Sequence, residues 1–424
     1  MAGDGYTAVA YARVVTPARG KLMATLFAAQ VCGSAGHSMT MAVGSIMAAS
    51  VTGTNTWSGL AVAVAGLGAA LGSWPLSRLM DRSGLRRPGL VLGYVAALVG
   101  AVLGIVAVMT RSFPLLLVTM ALLGVSNSSN LLARYAAADI SPGAQRGRAM
   151  GLIVWGSAAG SMIGPNLMAL SVAIGGVLAI SPTASPFLIS LAGFALSTLI
   201  TAALLRPDPL AIARAHAAAE TGRSTAVARS LRAALGDVRV QIAFAALAIN
   251  QFVMIATTST SPVYLHDQGH SVRTIGIAVS LHLGGMYVTS PLSGWLSDRC
   301  GRLPIIVAGA LVLIGAVVLA GVAPGTDGVL VIAGLFLNGV GWNMVFVAAS
   351  ALLTDALSAT ERASIQGFAD LAMGLMGALG STAGGMILGI WGFAILNAVG
   401  AAVVLAPLAA SLLRRPALAS KVET

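Results

Sequence analysis

The chain has 424 residues, of which 57% are apolar and only 9% are charged. A soluble domain carries roughly 25% charged residues, so this composition excludes an ordinary soluble fold. In a bilayer only helices and closed barrels satisfy every backbone polar group, and the apolar runs of about 20 residues are long enough to cross as helices. The sequence therefore predicts an all-α integral membrane protein.

Twelve apolar segments follow one another along the chain, and each is predicted to be a transmembrane helix. The predicted spans are 22–51, 57–80, 88–109, 114–139, 148–174, 186–205, 240–265, 274–297, 304–323, 329–356, 363–389 and 391–413. The predicted organisation is an N-terminal six-helix bundle at 1–205, a cytoplasmic linker at 206–239 and a C-terminal six-helix bundle at 240–424.

The net charge is +11, and its distribution indicates an orientation in the membrane. With both termini placed inside, 21 of the 24 Lys and Arg residues lie on the inner side. Only Arg111 and Arg273 lie outside, and Arg134 lies within a span. Cytoplasmic loops retain positive residues, so the sequence predicts a cell-membrane protein with both termini cytoplasmic. The basic segments are expected to contact anionic lipid, with no nucleic-acid partner.

A short charged turn after the second span contains Asp81, Gly84 and Arg86. Gly84 permits the tight turn. Asp81 is expected to face the N-terminus of a helix in the other half, where the helix dipole is positive. The expected partner is span eleven, because Ser358 and Glu361 at its start have the spacing of a capping box. Such a contact would close the inner side, whereas the alternative is a solvated turn that only sets topology.

The same turn recurs after the eighth span, 217 residues later, and further identities recur at an offset of 216. Two similar halves are the construction of many secondary transporters. The residues predicted to act in gating are Asp81, Arg82, Gly84 and Arg86 near the first turn, Asp298, Arg299, Gly301 and Arg302 near the second, and the repeat pairs Asp139 and Asp355, and Arg146 and Arg362.

The fifth span contains Gly160, Gly164 and Pro165. Small residues on one face let helices approach closely, and a proline kinks the helix. The pattern predicts a hinge and seal between the halves, and ordinary small-residue packing is the alternative.

Two spans contain a charge away from their ends, Arg134 in span four and Asp370 in span eleven. An ionisable residue inside a membrane is costly and is a functional candidate by default. Both residues are therefore candidates for coupling transport to protons. The alternatives are that Arg134 anchors at the inner interface and that Asp370 pairs with an arginine at the inner rim.

Histidine and methionine occur at helical spacing in two spans. His37 and Met41 share one helix face, as do His282 and Met286, and Met254 lies in span seven. Imidazole and thioether are soft ligands that suit Cu(I), so these five residues are a candidate metal site. The candidate substrate site comprises the same five residues with Asn250, Thr258 and Asn343. The alternative is that the methionines only pack and the histidines only bond to neighbouring helices.

The repeated charged turn, the six plus six spans and the long linker together resemble the major facilitator superfamily. The first turn is similar to its motif A, with Ser77 where that pattern has glycine. The fifth span is similar to its antiporter motif C, with Met168 in place of a glycine. In span four, Met120 stands where drug antiporters of this superfamily have an arginine. The resemblance implies a monomeric twelve-helix transporter with alternating access to a site between its halves.

A narrower resemblance concerns the CcoA-type copper-importer branch, which has Met-x3-Met in span seven and His-x3-Met in span eight. The chain has the second motif at His282 and Met286, but Thr258 replaces one methionine of the first. The resemblance implies copper or another soft metal ion as substrate. Thr258 and the polar run that contains it favour a drug, another organic solute or a vitamin-like solute.

Other classes of protein are not favoured. The sequence has no nucleophile–base set, no catalytic metal motif and no Walker A loop, so neither an enzyme nor a cofactor is expected. A membrane sensor that does not transport is the remote alternative. The identity of the substrate and the direction of transport stay open.

Overall fold

The computed structural model describes residues 4–53, 58–221, 231–323 and 328–413, and all regular structure in these ranges is helical. The helices are α1 Asp4–Thr52, α2 Ser58–Ser83, α3 Arg87–Met109, α4 Phe113–Asp139, α5 Arg146–Asn166, α6 Met168–Val177, α7 Pro186–Leu204, α8 Pro209–Thr221, α9 Leu231–Ala234, α10 Val238–Asp267, α11 Val272–Tyr287, α12 Ser290–Cys300, α13 Arg302–Val322, α14 Gly328–Ala356 and α15 Arg362–Leu413.

A helix or a pair of helices covers each of the twelve predicted spans, and the predicted all-α class is confirmed. Within the described ranges, eight helices are long and apolar enough to cross a membrane. The number is nine when α5 and α6, which meet at a bend of 51°, count as one broken span. Large apolar side chains lie exposed on these helices, among them Leu71, Val177 and Ile390. Such exposure is typical of a surface that faces lipid.

Spans eleven and twelve both lie within α15, which is interrupted by a kink at the non-helical residue Gly392, with φ of 83°. The helices differ from the predicted spans in two places. The eighth span is divided between α11 and α12, and α1 begins at Asp4, well before the predicted start of the first span. Hydropathy marks where a chain is apolar, whereas a helix continues into polar sequence as long as its backbone bonds are satisfied.

The chain divides into two compact units. Unit 1 comprises residues 1–230 together with 357–371, and unit 2 comprises 231–356 together with 372–424. Helices α1 to α8 and the start of α15 therefore belong to unit 1. The predicted linker contributes α8 to unit 1 and α9 to unit 2. The predicted bundles at 1–205 and 240–424 stay a prediction.

Glycines bring α5 directly against α1 in unit 1. A Cβ on Gly160 would meet the backbone carbonyl of Val31, and a Cβ on Gly164 would meet that of Ala35. Pro165 follows at once and lies inside the last turn of α5. The small-residue face thus packs within unit 1, and its role as a hinge and seal stays a prediction.

Helix α14 is the centre of unit 2, where it packs against α10, α11 and α13. Its contact with α11 is close because a Cβ on Gly339 would meet the backbone of His282 and Met286. Trp342 stacks on Phe346, with ring centroids 4.5 Å apart. This packing sets the side chains of α10, α11 and α14 side by side.

Candidate functional site

A group of buried charged and amide side chains in unit 1, the Asp139 cluster, comprises Arg86, Asp139, Arg362 and Gln366. Arg86 Nε lies 2.8 Å from Asp139 Oδ2, and both side chains are fully buried. Arg362 Nη1 lies 3.4 Å from Asp139 Oδ1. Arg86 Nη2 donates to Gln366 Oε1 at 2.7 Å. Gln366 was not predicted from the sequence, because a neutral amide gives no charge signal.

Unit 2 contains the repeat-related pair. Arg302 Nε lies 3.0 Å from Asp355 Oδ2, and the two residues are separated by the same 53 positions as Arg86 and Asp139. Arg302 also forms an ion pair with Asp298. The Asp355 side chain is 28% exposed, whereas that of Asp139 is fully buried. The repeat therefore conserves the pair, but only unit 1 removes it from solvent.

Asp81 lies against the first turn of α15, within unit 1. Its Oδ2 accepts a hydrogen bond from the backbone N–H of Ser364 at 2.6 Å. The Glu361 carboxylate accepts from the backbone N–H of Ser358 at 3.0 Å, which is one half of a capping box. A carboxylate at a helix N-terminus satisfies free donors and interacts favourably with the dipole. The contact expected from the sequence is present, and its role in gating stays a proposal.

The Asp81 carboxyl, one residue past the predicted second span, is in a mixed electrostatic environment. Burial raises its pKa above the ordinary value, and this is the largest influence. The Ser364 N–H and the guanidinium groups of Arg86 and Arg214 act in the opposite direction. The donors around Asp81 thus stabilise the ionised form that burial disfavours.

Asp208, at the start of the linker, was missed by the sequence analysis. Its Oδ1 accepts from the backbone N–H groups of Arg86 and Leu210 at 2.8 and 2.9 Å. Its Oδ2 accepts from the backbone N–H of Arg87 at 2.8 Å. One carboxylate therefore serves the N-termini of both α3 and α8. An Asp just before Pro209 is a helix-start signal, but the sequence gives no sign of the distant partner.

Arg214 on α8 was also missed. It donates to the backbone carbonyls of Ala359 at 3.3 Å and Asp81 at 3.4 Å. Its Nη2 lies 3.7 Å from Asp81 Oδ1. The linker helix thus holds both the charged turn and the segment that leads into α15.

Arg134 and Asp370 form a buried two-point ion pair in unit 1. Arg134 Nη2 lies 2.6 Å from Asp370 Oδ1, and Nη1 lies 3.3 Å from Oδ2. Neither side chain is more than 1% exposed. The guanidinium also donates to the Tyr135 hydroxyl at 2.9 Å and lies over that ring, 4.1 Å from its centroid. The sequence left the pairing of Asp370 open, and the structure pairs it with the other intramembrane charge.

Hydrogen bonds join α10 to α11 and α14 in unit 2, and the residues around them are here termed the α10–α14 seam. Its members are Asn250, Met254 and Thr258 on α10, Trp342 on α14 and His282 on α11. Asn338 on α14 is counted with them because it lies between Leu335 and Trp342, whose carbonyls accept from His282 and Asn250. At one end, Asn250 Nδ2 donates to the Trp342 carbonyl at 3.1 Å. The Trp342 indole N–H donates to Gln251 Oε1 at 2.9 Å.

His282 closes the other end of the seam and is 1% exposed. Its Nδ1 lies 2.9 Å from the Leu335 carbonyl, so this nitrogen must carry the proton. In the neutral ring Nε2 is then an acceptor, and it lies 3.4 Å from Thr258 Oγ1. The Thr258 hydroxyl also lies 2.7 Å from the Met254 carbonyl, so its single proton is shared between two possible acceptors.

Four asparagines of unit 2 have buried amide atoms without a protein partner. These atoms are Oδ1 and Nδ2 of Asn338 and the Oδ1 atoms of Asn250, Asn343 and Asn397. The Asn343 Nδ2 donates to the Met286 carbonyl and to Ser290 Oγ, both at 2.6 Å. A buried polar atom without a partner costs about 1–3 kcal/mol, so such a group points to a functional role or to a bound molecule.

The five candidate metal ligands lie in different units. His37 and Met41 are half-buried on α1 in unit 1, whereas Met254, His282 and Met286 are buried in unit 2. His37 forms a hydrogen bond with the backbone of Leu123, and its Nδ1 has no hydrogen-bond partner. Across the described residues, no group of three or more His, Cys, Asp or Glu side chains is placed to hold a metal ion.

The remaining predicted gating residues lie at helix ends. Arg82 and Arg299 are exposed, and Arg146 is half-buried at the start of α5. Gly84 and Gly301 have φ of 70° and 93°, a backbone region that only glycine adopts readily. Both copies of the charged turn therefore need their glycine for the same geometric reason.

The buried pair generates a stability prediction. Arg134→Met or Asp370→Leu alone leaves an unpaired buried charge and is expected to cost about 3–5 kcal/mol of stability. The double variant removes both charges and should be more stable than either single variant. Thermal unfolding of the detergent-purified variants measures this difference.

Arg302→Met, Asp355→Leu and their double variant form the matched control, because that pair is partly exposed. The interaction energy between Arg302 and Asp355, obtained from the two single variants and the double variant, should be clearly smaller than that between Arg134 and Asp370. Additive losses at Arg134 and Asp370 would contradict the prediction.

Comparison with known proteins agrees with this architecture. The sequence-family model of the Major Facilitator Superfamily matches residues 26–272 and 265–424 of this chain. An uncharacterized MFS-type transporter, YdeG, of Bacillus subtilis is 31% identical over 88% of this chain and 86% of its own length. The riboflavin transporter RfnT of Brucella anthropi is 28% identical over 81% of this chain and 83% of its own.

Among solved structures, the human organic anion transporter MFSD10 superposes with a TM-score of 0.71 at 15% identity. The match covers 93% of this chain and 99% of that protein, so the two share a fold. The chain is therefore a multi-pass membrane protein of the transporter type, and it belongs to the major facilitator superfamily.

Proposed function

We propose that this secondary transporter carries a small polar organic solute, driven by protons, as a monomer in the cell membrane. The observation that carries the proposal is the α10–α14 seam. Its buried amide atoms have hydrogen-bonding capacity that the protein does not use, and the Nε2 of His282 has a long contact of 3.4 Å with Thr258 Oγ1. An organic solute with donor and acceptor groups would satisfy them. The name of one relative, a riboflavin transporter, supports an organic substrate.

Copper is the second candidate, favoured by the tautomer of His282. A histidine that binds a metal ion usually donates its other N–H to a carbonyl or carboxylate, as His282 does to Leu335. Met254 and Met286 would add sulfur ligands, but Thr258 offers a hard oxygen at the position nearest to Nε2. Amide nitrogens such as that of Asn338 are not ligands for Cu(I). These points favour the organic solute.

Uptake by proteoliposomes tests the two candidates. With an imposed proton gradient, the reconstituted protein should transport one class of radiolabelled organic solute. It should not transport Cu(I), and Cu(I) should not inhibit uptake of the solute. His282→Ala should raise the KM for that solute about tenfold, since one hydrogen bond to the solute is lost.

His266→Ala is the matched control, because His266 is exposed at the end of α10. It should leave uptake unchanged. Accumulation of Cu(I) that His282→Ala abolishes would assign the site to copper instead.

We propose that the hydrogen bond between Asp81 and Ser364 breaks and re-forms during transport. The predicted gating residues of the two charged turns and of the span ends are the proposed gating elements. Asp81→Asn weakens the acceptor and should raise hydrogen exchange in the first turn of α15. Exchange mass spectrometry on peptides that cover 357–371 measures the effect. Asp298→Asn is the matched control, since Asp298 pairs with Arg302 in unit 2 and should leave this segment unchanged. Equal exchange in both variants would leave the turn with a purely topological role.

The proposed orientation places both charged turns and both termini in the cytoplasm. Cys300 is exposed beside the second turn, whereas Cys32 is half-buried. A membrane-impermeant maleimide should therefore label Cys300 in everted vesicles and not in intact cells. In a Cys300→Ser background, Thr183→Cys, exposed between α6 and α7, should show the reverse. Labelling of Cys300 from outside intact cells would overturn the orientation.

A further inference from the structure

Asn338 is the residue of the seam with the largest unused hydrogen-bonding capacity. It is 1% exposed, and neither Oδ1 nor Nδ2 has a protein partner. Asn250 and Asn343 differ, because the amide nitrogen of each already donates to a carbonyl. A ligand that satisfies Asn338 must therefore supply a donor and an acceptor side by side.

The position of Asn338 on α14 places it within the seam. It lies three residues after Leu335, whose carbonyl accepts from His282, and four residues before Trp342, whose carbonyl accepts from Asn250. Residues at these spacings share one helix face. Asn338 therefore lies between these two carbonyls along α14, about one helix turn from each.

The charge of the seam limits the class of ligand. None of its six members carries a formal charge when His282 is neutral. A carboxylate would satisfy Nδ2 of Asn338 but leave Oδ1 without a donor, and an ammonium group would do the opposite. An uncharged amide, lactam or imide edge satisfies both atoms through two parallel hydrogen bonds, as an asparagine does with the edge of a nucleobase.

We propose that Asn338 selects the solute by pairing with an amide-like edge, a ring C=O beside a ring N–H, while His282 Nε2 accepts a hydrogen bond from a second donor of the same molecule. The inference rests on the proposed transport of an organic solute and names its chemical class. A pyrimidinedione ring system, which presents N–H between two carbonyls, has the required edge.

Riboflavin and N3-methylriboflavin are a matched pair of probes for this edge. Both are uncharged, and they differ only in whether the N–H between the two ring carbonyls is present. Fluorescence titration of the full-length protein in detergent should show that riboflavin binds about 10- to 100-fold more tightly than the methylated probe, as expected for one buried hydrogen bond.

Asn338→Ala should lose this discrimination and bind both probes with the same weak affinity. Asn338→Leu, which keeps the side-chain volume, should do likewise and separates loss of the amide from loss of packing. Asn397→Ala is the matched control, since Asn397 is a buried asparagine of unit 2 with an unpartnered Oδ1 outside the seam. It should keep the discrimination.

Equal binding of both probes by the wild type, no binding of either, or discrimination that survives in Asn338→Ala and Asn338→Leu would each overturn the inference. Uptake of some other organic solute in the proteoliposome assay would then leave the proposed function standing. If the protein transports none of the organic solutes tested in that assay, both the inference and the proposed function are wrong.

Discussion

Charge inside an apolar protein must be paired, and the pairing of Arg134 with Asp370 is the interaction on which the rest of the account depends. A single buried ion would cost several kcal/mol, which is comparable with the whole stability of a domain. The pair joins α4 to the start of α15 and is accompanied by the Asp139 cluster. Together these contacts explain why residues 357–371 group with unit 1 although they follow α14 in the chain.

The two copies of the charged turn show how a repeat diverges. Both keep the arginine–aspartate pair and the glycine with positive φ. In unit 2, Arg302 holds Asp298 as well as Asp355. In unit 1, Asp81 instead accepts from the first turn of α15, where Ser364 lies. The turn of unit 2 is thus bonded to the end of α14, whereas the turn of unit 1 is also bonded to the start of α15.

Much of the fold follows from the sequence because the membrane simplifies the problem. Long apolar runs can satisfy their backbone only as helices, and the offset of 216 relates Asp139 to Asp355 before any contact is known. A capping box at Ser358 and Glu361 marks a helix start that an acidic side chain can face. These signals are local or periodic.

Contacts between side chains far apart in sequence give no such signal. Asp208 is a helix-start residue by its pattern, but nothing in the sequence connects it to the backbone of α3, 122 positions away. Asn338 was not among the predicted site residues, because one asparagine in an apolar helix gives no sign of whether its amide atoms have hydrogen-bond partners. The division between spans eleven and twelve was predicted at residue 390, and the structure has its kink two residues later, at Gly392.

The proposed coupling of protons to transport through the Arg134–Asp370 pair is tested most directly by comparing two transport modes of Asp370→Asn. The neutral side chain cannot exchange a proton, so uphill uptake driven by a proton gradient should be lost. Exchange of labelled for unlabelled solute across proteoliposomes needs no net proton movement and should persist. Proton-driven uptake by Asp370→Asn at the wild-type rate would contradict the account.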